Sequence, residues 1–147
     1  METIPEYITL HKANAVVSNN QYTWNINDAY YTTTRGSICY VSLVQCCMDT
    51  QNNNQILIKY HGSQNSIQTD NQAPIIGTID KQNFSGLQSA EPVKLLVSAR
   101  PNKITLQTNN LDNSSFVPTD AVFVLKFEYL KLKTEINNLI DQQYTKL

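Results

Sequence analysis

Glycine is nearly absent, with four in 147 residues, and neither a GxGxxG nor a P-loop pattern occurs. A glycine-rich phosphate cradle is therefore excluded, and nucleotide use is not expected. Cysteine is scarce and odd in number: Cys39, Cys46 and Cys47 show neither CxxC nor a zinc-ligand spacing. Cys46 and Cys47, as neighbours on an extended chain, point to opposite faces and make poor partners for one shared metal. Free thiols buried in an apolar strand are expected, with folding in a reducing compartment. Charge of either sign is low, 11 basic against 12 acidic side chains for a formal net charge of −1. That balance gives no basic field to attract nucleic acid or anionic lipid. No 18 apolar residues follow one another, so no membrane span is expected. The start, METIPEYITLHKANAVV, has Glu2, Pro5 and Glu6 where a secretory leader needs a basic start and an apolar run.

What the chain does have is amides: Asn and Gln fill 29 of 147 positions, in runs such as QNNNQ at 51–55. Such side chains favour turns and solvated loops. Between them lie strand signals. In AVFVLKFEY, residues 121–129, Phe123, Leu125, Phe127 and Tyr129 alternate with Val122, Val124, Lys126 and Glu128. A period of two sends one set inward and the other outward. Further strand-like stretches cover 7–10, 15–17, 21–26, 38–47, 56–60, 66–69, 75–79, 93–99 and 103–107. The run 38–47 reads as a central strand covered on both sides. Asn19-Asn20 marks a hairpin tip leading into a strand whose Tyr22, Trp24 and Ile26 share one face. Arg100-Pro101-Asn102 is a tight-turn signature that predicts a hairpin between its flanking strands. Residues 80–92 read as a long loop, with Phe84 and Leu87 as apolar pins.

Few constellations offer chemistry. His11 and His61 fall at predicted strand ends without a ligand pattern such as HExxH. Asp28, Asp49, Asp70, Asp80, Asp112 and Asp120 lie mostly in predicted turns, where Asx hydrogen bonds account for them. Aromatic residues beside amides are the remaining signal, since rings stack on sugars while amides bond hydroxyls. Trp24, Tyr30 and Tyr31 are the candidate ligand contacts on this reading, which makes the chain a carbohydrate- or receptor-binding module. Tyr30-Tyr31 stands in a loop and is not explained by strand alternation.

After Tyr129 the period changes. Leu132, Ile136, Leu139, Ile140, Tyr144 and Leu147 fall at spacings of mainly three and four, one stripe if the segment is helical. The expected organisation is a β-sandwich domain over 1–130 and a helical or extended amphipathic tail over 131–147. A sandwich closes its own core, so the stripe is a candidate contact with a neighbouring subunit or partner.

The stretches YITLHKANAVVSNNQYTWNI, SICYVSLVQCC, SARPNKITLQTNN and FVLKFEYL, taken in this order, resemble small β-sandwich and single jelly-roll proteins of double-stranded DNA virus capsids, the minor capsid, vertex and cement proteins. The resemblance implies an all-β, antiparallel, jelly-roll-like sandwich of about eight strands. It also implies a non-enzymatic virion protein that uses no cofactor, forms a trimer or pentamer and binds other capsid proteins. Such a protein would be made and folded in the host cytoplasm and reside in the virion.

Overall fold

The computed structural model describes residues 3–27, 38–49, 55–62, 73–80, 93–97 and 101–130. Their regular elements are β1 (Thr3–His11), β2 (Val16–Ser18), β3 (Gln21–Asn25), β4 (Cys39–Met48), β5 (Gln55–His61), β6 (Ile75–Asp80), β7 (Leu95–Val97), β8 (Lys103–Asn110) and β9 (Ala121–Leu130). One 3-10 turn, Lys12–Asn14, joins β1 to β2. The chain is thus all-β, as its period of two predicts.

The strands form two antiparallel sheets, ordered β1-β9-β4-β7 and β2-β3-β8-β5-β6. Their pairing is nested: β1 with β9, β3 with β8, β4 with β7, and β5 with β6. A long antiparallel ribbon with β5 and β6 at its closed end has been folded across two layers. Lateral ladders from β4 to β9 and from β5 to β8 knit the folded ribbon together. This is the strand order of a jelly roll, with β2 added as a three-residue edge. Asn19 adopts a positive φ of 57° at the tip of the β2–β3 hairpin, a conformation asparagine tolerates better than most residues.

The core fills the space between the layers. Every second residue of β9, from Ala121 through Phe123, Leu125 and Phe127 to Tyr129, is buried. Across the gap, Trp24 meets the Phe123 ring edge-on at 6.0 Å between centroids, and Tyr22 lies at 6.3 Å. Tyr22 and Trp24 do face the core, and Ile26 packs against it partly buried. Such aromatic contacts add to the area they remove from water.

β4 departs from the reading of a strand covered on both faces. Its register against β9 shifts between Leu43 and Gln45. One extra residue at this bulge reverses the alternation: Cys39, Val41 and Leu43 point inward before it, Cys46 and Met48 after it. Val44, Gln45 and Cys47 are exposed, so the second half of β4 is covered on one face only. The hairpin expected around residues 100–102 is also corrected. β7 pairs with β4 in one sheet, whereas β8 joins β3 and β5 in the other. The strands on either side lie in different layers and do not pair, because local turn chemistry fixes a change of direction and not the partner. The candidate strand 66–69, the loop 81–92 and the tail 131–147 lie outside the described residues.

Replacing Phe123 by Ala is expected to cost about 3–5 kcal/mol, read from urea unfolding, whereas Val122→Thr on the outward face should cost under about 1 kcal/mol.

Candidate functional site

Among the described residues β1 is an edge strand, since β9 pairs along one side of it and it ends the sheet order. Alternate residues of such a strand turn their N–H and C=O groups away from the ladder. Between this edge and the end of β3 lies a cavity of about 400 Å³, lined by residues 7–10 of β1, residues 24–26 and Asn14 of the 3-10 turn. Its wall is firmly held. The Trp24 Nε1–H donates to the His11 carbonyl at 2.8 Å, and the indole is only 5% exposed. Tyr7 is 60% exposed, with the Lys126 ammonium 5.9 Å from its ring centroid. Asn14, Asn25 and Thr9 are exposed and bring two carboxamides and a hydroxyl. Among the described residues, the lining contains neither an acidic nor a basic side chain. It offers hydrogen bonds and aromatic surface without charge.

A second polar cluster is buried on the far side of Tyr22. The Thr108 hydroxyl donates to the Phe116 carbonyl at 2.6 Å, which commits its single hydrogen. The Tyr22 hydroxyl, 2.9 Å away, must therefore donate to Thr108 Oγ1. Burial pushes the Tyr22 phenol above its ordinary pKa, and the Thr108 bond offsets part of that rise. Asn20 closes the arrangement, its side-chain amide donating to the Thr108 carbonyl at 2.7 Å and its own carbonyl accepting from Thr108 N–H at 3.1 Å. Lys59, buried on the outer face of β5, donates to Asn113 Oδ1 at 2.6 Å, and burial lowers its pKa. These groups anchor the hairpin tip and the segment after β8.

The thiols divide by environment. Cys39 and Cys46 are buried, and burial pushes Cys39 up to about 12 and Cys46 higher still, with Cys47 adding to the latter. A thiol held protonated is a poor nucleophile. Cys47 is exposed, contrary to the expectation that all three are buried, because it lies beyond the β4 bulge and points outward. His11 and His61 end β1 and β5, as their predicted positions at strand ends require, and His61 Nε2 meets Gln107 Oε1 at 2.8 Å. Asp112 forms an Asx turn, accepting from Ser114 N–H at 3.0 Å and Ser114 Oγ–H at 2.6 Å. Asp120 Oδ1 accepts from Ala121 N–H at 3.0 Å. Among the described residues no group of three or more His, Cys, Asp or Glu is placed to hold a metal ion. No described helix is long and apolar enough to cross a membrane.

Of the residues singled out from sequence, Trp24 lines the cavity while its ring belongs to the core. Tyr30, Tyr31, Leu132, Ile136, Leu139, Ile140, Tyr144 and Leu147 lie outside the described residues. Tyr7, Thr9, Asn14 and Asn25 escaped the sequence reading. Nothing in their local pattern shows that β1 and β3, in different sheets, face one gap. The sequence matches no protein-family model and no curated protein.

Thr108→Val keeps the shape but leaves the buried Tyr22 hydroxyl without its acceptor, and should cost about 1–3 kcal/mol in urea unfolding. Alkaline stability follows from the thiols. The unfolded chain gives up a thiol proton near the ordinary value of 9.0 while folded Cys39 keeps it to about 12. Their contribution is complete below pH 9 and declines as pH rises toward 12. The urea midpoint should fall between pH 8 and pH 10, and fall less in a Cys39→Ala, Cys46→Ala double variant.

Proposed function

We propose that the protein is a non-enzymatic building block of a virion, folded in the host cytoplasm, that self-associates as a trimer or pentamer and binds other capsid proteins. The observation that carries this reading is the low charge of both outer faces of the jelly roll. On the β1-β9-β4-β7 sheet, Tyr7, Tyr40, Val44, Val122, Val124 and Leu130 stand on the outer side. The charges there pair among themselves: Glu128 meets Lys94 at 3.1 Å and Lys126 at 3.8 Å. The other sheet shows a row of amides and hydroxyls. Thr23 and Thr105 hydroxyls lie 3.1 Å apart, and Gln107 bonds His61 at 2.8 Å.

Faces of this kind suit close contact between identical copies. Charged residues are depleted at interface cores, whereas tyrosine is enriched there, and a net charge near zero lowers repulsion between copies. Symmetric closure then repeats one modest contact several times. Jelly rolls also serve lectins and cupins, so the strand order alone does not select among these roles. The free thiols fit a reducing site of folding. The apolar stripe from Leu132 to Leu147 is the proposed subunit contact.

Light scattering on the full chain should give a mass of three or five copies, and Ile136→Asp with Leu139→Asp and Ile140→Asp should reduce it to one. A well-folded monomer in both cases, without affinity for shell proteins, overturns the reading.

A further inference from the structure

The cavity beside β1 carries a second role, independent of assembly. We propose that it binds one unit of an uncharged, polyhydroxylated ligand, a pyranose sugar. Asn14, Asn25 and Thr9 meet its hydroxyls, and Ile8 and Ile26 with the edge of Trp24 meet its apolar C–H face.

The chemistry of the lining selects this class by elimination from both sides. A phosphate, carboxylate or ammonium entering the cavity meets no opposite charge among the described residues, because none of those that line it is acidic or basic. Such a group would lose hydration without compensation. A purely apolar ligand fails for the opposite reason. It would strip water from two carboxamides and a hydroxyl and return no hydrogen bond. A pyranose answers both conditions, with hydroxyls around its rim and C–H groups on its face. Each carboxamide donates and accepts at once, which suits adjacent hydroxyls that do the same.

Size and rigidity agree. A cavity of about 400 Å³ lies near the lower end of the roughly 300–1,000 Å³ range of ligand sites, which fits one or two sugar units. Trp24 is fixed by the His11 carbonyl and by Phe123, so the aromatic wall is set before a ligand arrives. Little conformational entropy is then lost on binding, although a single sugar still binds with a dissociation constant of only about millimolar order.

The test is a titration of the ¹⁵N-labelled full chain with methyl glycosides of glucose, galactose, mannose and N-acetylglucosamine, followed by NMR shifts and saturation transfer. Glucuronate and glucose 6-phosphate serve as charged controls. At least one neutral glycoside should shift the Trp24 indole and the Asn14 and Asn25 side-chain signals, with the charged controls at least about tenfold weaker. Asn14→Ala with Asn25→Ala, both exposed and so compatible with folding, should weaken binding by about tenfold or more. Silence from every glycoside at tens of millimolar overturns the proposal, as does unchanged binding by the double variant. Equal binding of the charged controls, or capture of an extended peptide along β1 with no sugar response, also overturns it. Particle mass is measured separately, so either proposal can fail while the other stands.

Discussion

The structure depends on β9 being held from both sides. It pairs with β1 along one edge and with β4 along the other, so the last described strand lies inside the sheet and the first closes against it. Its inward row of Ala121, Phe123, Leu125, Phe127 and Tyr129 forms the central stripe of the core. From that row the contacts reach Tyr22 and Trp24 in the opposite layer, and through Trp24 the wall of the cavity. Burial of a continuous aromatic and aliphatic stripe is a larger stabilising term than any single polar contact here, because it scales with the area removed from water.

Much of this architecture was legible in the sequence wherever the information is local. Alternation over residues 121–129 marks a strand, gives its buried face and is matched residue by residue in β9. The Asn19-Asn20 tip was legible for the same reason, since its backbone geometry favours asparagine. Pairing was not legible. Pro101 and Asn102 mark a turn, yet the strands on either side join different sheets, because partners are chosen by layer packing and by burial of both faces. The β4 bulge was hidden likewise: nothing in SLVQCC shows that one residue is looped out, and so Cys47 reads as buried although it is exposed. The cavity is a further step from the sequence, being formed where two strands of different sheets diverge.

Polar groups follow a consistent division. Those in the interior, Asn20, Tyr22 and Thr108, hold the ends of strands in register and have their hydrogen bonds assigned. Those on the outer face of the β2-β3-β8-β5-β6 sheet bond one another across strands, as Thr23 does with Thr105. Around the cavity, the exposed amides of Asn14 and Asn25 stand next to Tyr7 and Trp24.

Nesting of the ribbon also has a consequence for biosynthesis. A ribosome delivers β1 well before β9, and the intervening chain must be made before the two can pair. Until then β1 has no partner and the aromatic residues of β3 have no Phe123 to cover them. The contacts of β1 with β9 span most of the described residues, so the fold is completed only once β9 has left the tunnel, at the slow pace typical of high contact order. During that interval the nascent chain exposes strand edges that favour aggregation, and a cell producing it in quantity would need chaperones to shield them.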